Sequence, residues 1–206
     1  MARRETGIQE VFQTVNQAKP RQRLNIRDEQ YAWGTVEKEG VLRLIEQLGL
    51  SNNDVFVDIG SGKGALCYHV FHNSPVKSVI GVEAVQKRHE EAAMLLSQSV
   101  NDNAILKVAD RRLQFVHGDA LLHCNLWSAA TIIFMNNVTF PDGLVNQIFK
   151  MINENCKNVR IVVAAKAPTE ICLNGSYQRK MTDRIKVSWG QAKFYMWEKP
   201  FIETDI

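Results

Sequence analysis

Three acids stand at the ends of three apolar runs. Asp58 lies in Asp54-Val55-Phe56-Val57-Asp58-Ile59, Glu83 closes the run Val76 to Val82, and Asp119 follows His117-Gly118. The first run continues into Gly60-Ser61-Gly62-Lys63-Gly64, a turn whose glycines let a ligand approach the backbone closely. A phosphate-binding P-loop needs Ser or Thr after Gly-Lys to hold magnesium, and here Gly64 follows Lys63, which excludes it. Gly60, Gly62 and Ala65 satisfy a dinucleotide fingerprint, which alone is weak. The alternative is an S-adenosylmethionine site. That ligand has no pyrophosphate and carries a cationic amino-acid end, so an acid beside the loop is useful, and Asp58 and Gly64 fit the spacing. Glu83 can take both ribose hydroxyls of either ligand. Asp119 can accept from an adenine amino group.

The elements that must position these groups alternate. Strands are expected at 54–59, 76–82, 113–117, 131–135 and 159–165, with helices near 36–48, 65–71, 86–100 and 143–155. In the first helix Val41, Leu42, Leu44, Ile45 and Leu48 form the apolar face, and Gly49 stops it. Residues 184–189 and 192–197 alternate around Gly190 like an antiparallel pair. Strands alternating with helices imply an α/β fold: a mostly parallel sheet covered on both faces, with a C-terminal antiparallel hairpin. In such sheets ligands bind beyond the carboxyl ends of the strands, where Asp58, Glu83, Asp119 and Asn136 fall.

Of the 206 residues, 45% are hydrophobic and 23% charged, which excludes wholesale disorder. No apolar run reaches the roughly 18 residues of a membrane span, and no secretory leader is read at the N-terminus. Cys67, Cys124, Cys156 and Cys172 form no Cys-x-x-Cys pair, so reduced thiols are expected, with neither disulfides nor a metal. The net charge of +3 hides an uneven distribution. Residues 1–27 carry +4, residues 28–149 carry −5, and residues 150–193 carry +6. Segment 1–30 reads as a basic N-terminal arm, in which Val11, Phe12 and Val15 can form one helical turn, ahead of a catalytic domain at 31–206.

Several blocks then match one family in order. They are Trp33-Gly34-Thr35, the segment 56–64, Gly81-Val82-Glu83, Gly118-Asp119, the segment 133–140 containing Asn136-Asn137-Val138-Thr139-Phe140, and Val187-Ser188-Trp189 with a following strand carrying Tyr195. Over about 165 residues the chain resembles the catalytic domain of the disruptor-of-telomeric-silencing (non-SET) histone H3 lysine methyltransferases. The resemblance implies a class I, Rossmann-like fold with S-adenosylmethionine as cofactor. Trp33, Thr35, Asp58, Gly60, Ser61, Gly62, Gly64, Glu83, Asp119, Ala120 and Asn136 would contact that cofactor. Asn136 would also border the methyl group, and Phe140, Trp189 and Tyr195 would line a channel for the target lysine. It further implies a nuclear enzyme acting on the nucleosome, with DNA phosphates met by the basic segments. Thr35-Val36 departs from the family's usual acid and Thr, and the turn between Trp189 and Tyr195 is one residue short. A methyltransferase of RNA, a small molecule or another protein, and a chromatin module that holds the cofactor without turnover, remain alternatives.

Overall fold

A computed structural model describes residues 35–101, 110–170, 172–173 and 175–200. The expected arm at 1–30, its helical turn and Trp33 lie outside the described residues. In chain order the elements are α1 (Lys38–Leu48), β1 (Val55–Ile59), α2 (Ala65–Asn73), β2 (Ser78–Glu83), α3 (Gln86–Asn101) and β3 (Arg112–His117). A 3-10 turn (Ala120–His123) and the short α4 (Cys124–Trp127) lead to β4 (Ile132–Met135), α5 (Asp142–Asn155) and β5 (Ile161–Ala164). Four short strands follow: β6 (Gln178–Met181), β7 (Ile185–Val187), β8 (Gly190–Ala192) and β9 (Tyr195–Glu198).

The sheet runs β3-β2-β1-β4-β5-β9-β6. Its first five strands are parallel, and β9 is antiparallel to both β5 and β6. Strand order reverses between β1 and β4, which makes the crevice beyond their carboxyl ends the expected ligand site. Central strands are buried on both faces, so their sequences read as unbroken apolar runs. Alternate residues go to opposite cores. Phe56, Phe134, Ile161, Val163 and Met196 meet α1 and α2 on one side. Val57, Ile133, Met135, Val162 and Trp197 meet α5 and Trp127 on the other.

The C-terminal region differs from the simple pair read in the sequence. The β7–β8 ribbon turns at Ser188-Trp189, with Val187 opposite Gly190. Gly190 is therefore a strand residue, and β9 leaves the ribbon to join the main sheet. The ribbon lies on α1. Gly40 allows this, because a Cβ there would stand 2.2 Å from the Lys186 carbonyl oxygen. Leu42, expected on the apolar face of α1, points outward at 38% exposure, while Val41, Leu44 and Leu48 are buried. A helix presents only one stripe to the core, and Leu42 falls off it.

The amino edge of the sheet is held by a polar knot. Asp54 precedes β1, Thr131 precedes β4 and Arg160 precedes β5. Asp54 accepts from Thr131 Oγ1 at 2.7 Å, from Arg160 Nη2 at 3.0 Å and from the Ser51 amide at 2.7 Å. Arg160 also donates to the carbonyls of Leu48 and Gly49, at 3.2 and 3.1 Å, closing the end of α1. Burial alone would raise the Asp54 carboxyl, but these hydrogen bonds outweigh it and bring its pKa to about 2.

Candidate active site

The opposite, carboxyl edge gathers the expected residues. The loop from Gly60 to Gly64 is hooked onto β2: the amides of Gly60 and Ser61 both donate to the Val82 carbonyl, at 2.8 and 3.1 Å. Gly60 and Gly62 sit at φ +82° and +56°, left-handed conformations that a side chain would strain. Glu83, buried at the end of β2, accepts from the Gly62 amide through Oε2 and from the Val85 amide through Oε1, each at 2.8 Å. An ionised carboxylate has about four acceptor positions, so hydroxyl donors can still be received.

Asp58 is 3% exposed on β1, in register with Gly81 of β2 and Phe134 of β4. Its described hydrogen-bond partner is the buried Cys67 thiol on the first turns of α2, whose Sγ lies 3.6 Å from Oδ2. Burial pushes the Asp58 pKa up to about 7; the thiol bond opposes this, and Glu83 adds to it. The same burial, with the Asp58 charge beside it, holds the Cys67 thiol well above its ordinary value. Among the described residues no cation pairs with Asp58. The donor set therefore suits a ligand that brings a positive charge to Asp58 and hydroxyls to Glu83. Ser61 Oγ, buried against Gly81 without a hydrogen-bond partner among the described residues, lies under the same loop.

Asp119 follows β3 and caps the 3-10 turn, accepting from the Leu121 amide at 2.9 Å. Its half-buried carboxylate keeps a second oxygen for a donor. Next to it, the Ala120 carbonyl accepts from Trp127 Nε1 at 3.1 Å, which fixes the backbone there. Lys63 leaves the glycine loop outward and pairs with Glu91 of α3 at 2.7 Å.

Beyond β4 come Asn136 and Asn137. Neither amide caps the next helix, since the residue before α5 is Pro141, with no side-chain cap. Instead Asn137, fully buried, exchanges two hydrogen bonds with the backbone of Lys166 just past β5, at 2.8 and 3.0 Å. The chain then carries the Phe140 ring over the glycine loop, where a Cβ on Gly60 would lie 2.8 Å from Phe140 Cζ.

Tyr195 opens β9 opposite Ala164, the last residue of β5, and so stands on the same edge. It and Phe140 lean on the same hydrophobic cluster. The Arg179 guanidinium lies 5.8 Å from the Tyr195 ring centre. Trp189 is not brought to them: it stands 51% exposed at the ribbon turn. Among the described residues no ring contact joins it to Phe140 or Tyr195. Thr35 belongs to the ribbon as well. Its amide donates to Ser188 Oγ at 3.1 Å, and its carbonyl accepts from the Ser188 amide at 2.9 Å. Sequence reasoning missed Cys67 and Lys166, and it placed Asn137 in a matching block without its part in holding the loop. Only Cys67 carried a signal, three residues past Gly64 on the helix face turned to β1.

A doubly wound sheet with one antiparallel strand inserted past β5, and acids at successive strand ends, defines the class I S-adenosylmethionine-dependent methyltransferase fold. Solved structures agree on the fold. An RNA methyltransferase from Salinibacter ruber in complex with S-adenosyl-L-homocysteine is 17% identical, with a TM-score of 0.55 over 80% of this chain and 94% of that one. TrmK of M. capricolum, in complex with the same cofactor product, is 12% identical, with a TM-score of 0.52 over 79% and 71%. The pattern of the family described as "Histone methylation protein DOT1" matches residues 25–194, and the chain belongs to that family. It is similar to the H3 lysine-79 specific histone-lysine N-methyltransferases of Caenorhabditis elegans, at 26% identity over 140 residues, and Drosophila melanogaster, at 23% over 134. These matches cover 65% and 63% of this chain but only 14% and 7% of the length of those proteins.

Proposed function

We propose that this chain transfers a methyl group from S-adenosylmethionine to a lysine of histone H3 within the nucleosome. The observation that carries the reading is the contact between Phe140 and Gly60: it joins the loop fit for the cofactor to the segment fit for the substrate. Family membership and the lysine-79 specificity of the relatives support the substrate, and make that position of H3 the first place to look.

Bound at this edge, S-adenosylmethionine supplies an electrophilic methyl group on a sulfonium. Asp58 and the glycine loop hold the methionine end, Glu83 the ribose and Asp119 the adenine. Ser61, Gly64 and Ala120 shape the backbone around them, and Asn136 borders the methyl. Phe140 and Tyr195 wall the path of the lysine stem, attract its ammonium through their ring faces, and exclude water. Attack requires the neutral amine, so the lysine gives its proton to solvent on entry. Phe140 and Tyr195 would aim its lone pair at the methyl group. Positioning in line is the main contribution asked of the protein.

Trp189 stands exposed at the ribbon turn and Thr35 is held to the same ribbon, so neither is given a part in this path. Chromatin is the place where such a substrate exists, which makes the nucleus the working compartment. Of the nine cations in 150–193, Lys150, Arg160, Lys166, Lys180 and Lys186 are engaged with acids of this chain. Contacts to DNA phosphates therefore fall first to Lys157, Arg179, Arg184 and Lys193, and fewer phosphates are met than the charge count suggests.

The test is mass spectrometry of nucleosomes after incubation with enzyme and cofactor, beside free histones and total RNA, with Gly62→Arg as control. Methylated H3 from nucleosomes, absent with the control, is expected. Methyl transfer only to RNA, or cofactor binding without transfer to any substrate, would overturn the reading.

A further inference from the structure

Phe140 cannot hold its place over Gly60 by itself. It lies three residues after the buried Asn137, in a loop with an exposed Val138, and its ring only leans on the core. The backbone there is held from β5. The Ala165 amide donates to the Met135 carbonyl at 3.1 Å, and Lys166 and Asn137 exchange two hydrogen bonds. The Lys166 ammonium then reaches further along the same loop. It donates to the Phe140 carbonyl at 3.0 Å and pairs with Asp142 Oδ1 at 2.5 Å, so one side chain spans both sides of Pro141. The segment carrying Lys166 is itself pinned on its far side. The Thr169 amide donates to Asn146 Oδ1 of α5 at 2.9 Å, and Asn146 Nδ2 donates to Thr169 Oγ1 at 2.8 Å.

We propose that Lys166 is a positioning residue for methyl transfer: by gripping the Phe140 carbonyl and Asp142 it keeps the Phe140 ring against the glycine loop. The inference rests on the functional reading above, in that Phe140 is taken as a wall of the lysine path. A charge-assisted hydrogen bond to a carbonyl is about twice as strong as a neutral one, so this single grip outweighs the loop's own Phe140 amide to Asn137 carbonyl bond. Without it the ring is free to leave Gly60. A displacement of about 1 Å in such a wall can cost roughly a hundredfold in rate. The described hydrogen bonds and ion pair of Lys166 go to Asn137, Phe140 and Asp142, none a candidate cofactor residue, so cofactor affinity should not change.

Lys166→Met and Lys166→Arg, each made alone and in a Phe140→Leu background, test the grip in two ways. The first is hydrogen exchange at the Phe140 amide, which needs no activity. It is expected to quicken at least about tenfold in Lys166→Met and to stay near wild type in Lys166→Arg. The second is single-turnover transfer to nucleosomes at saturating cofactor. A loss of about tenfold or more is expected in Lys166→Met, with cofactor affinity within twofold of wild type. Lys166→Arg should recover it, and Lys166→Met should add nothing once Phe140 is Leu. Unchanged exchange overturns the proposal whatever the activity, and so does a rate loss that persists in full in the Phe140→Leu background. A wild-type protein inactive on nucleosomes, with the exchange result as expected, instead overturns the functional reading and leaves the grip standing.

Discussion

One strand and the residue that leads into it carry two buried acids with opposite fates. Asp54 stands just before β1 at the amino edge, and Asp58 stands near its other end, four residues on. Both are dehydrated. Asp54 is surrounded by an arginine, a threonine and a backbone amide, and its pKa sits at about 2. Asp58 is met by a thiol and a second carboxylate, and its pKa sits at about 7. Dehydration is common to both edges, and what differs is whether the fold itself supplies the compensating positive charge. At the amino edge it does, through Arg160. At the carboxyl edge no described residue does, and in the proposed function a ligand brings that charge. In the proposed function, structural acids and ligand-holding acids are thus told apart by their partners, not by their burial.

The contrast is most exposed to pH. In the unfolded chain both acids ionise near 3.8. Folded Asp58 keeps its proton until about pH 7, so its contribution to stability is whole below pH 3.8 and is lost as pH rises to 7, by about 4 kcal/mol. Folded Asp54 stays ionised down to about pH 2, so its contribution is whole above pH 3.8 and is lost as pH falls toward 2. Chemical denaturation of the ligand-free protein between pH 4 and 8 should show stability falling with pH, and Asp58→Asn should flatten that slope. A slope unchanged in Asp58→Asn would break the comparison. The same ionisation ties ligand to proton: cofactor affinity, by calorimetry, should rise with pH toward 7 in wild type and not in Asp58→Asn.

The next largest effect belongs to the amino edge. Arg160→Leu leaves Asp54 buried without its cation. Because the Arg160 side chain is about a third exposed, the loss is placed at about 2–3 kcal/mol of stability, below that of a fully buried pair. At temperatures where the variant stays folded, its cofactor affinity should match wild type. At the carboxyl edge the balance reverses. Gly60→Val puts a branched side chain at φ +82° and into the Phe140 ring, and should weaken cofactor binding about a hundredfold with a smaller change in melting temperature. The smallest effect is that of Asp119→Ala. It removes one cap and the proposed adenine contact, and should cost about tenfold in affinity. Equal loss of stability and of affinity in all of these variants would erase the distinction between the two edges.

The five parallel strands and the acids at their ends were legible because a doubly covered strand must be apolar throughout, so that Asp58 and Glu83 stand out against it. The C-terminal region was not. Gly190 reads as a turn, yet it pairs with Val187, and Ser188-Trp189 make the bend. β6 is Gln-Arg-Lys-Met, exposed at every position, and an edge strand of charged residues carries no apolar period to find. Leu42 shows the limit of periodicity, since apolar residues outnumbered the width of the buried stripe. Of the candidate site, the glycine loop and the acids were readable from spacing. The grip of Lys166 on Phe140 was not, because it joins residues 26 apart through a strand pairing that no local pattern encodes. Nor was the separation of Trp189 from Tyr195, which follows from the ribbon and the sheet being different structures.

The placement of β9 between β5 and β6 has a consequence for biosynthesis. β6 is made before β9 but has no place in the sheet until β9 has been laid against β5. While a ribosome still holds residues 195–198, the parallel half, with its glycine loop and three acids, can already be assembled. The edge beyond β5 meanwhile stays open and Tyr195 has no wall to form. Such a late, non-local closure is slow and leaves an unpaired strand edge exposed to other chains. The growing polypeptide would thus be ready for the nucleoside before it could accept a lysine, and its period of greatest aggregation risk would fall at the last few residues of the sheet.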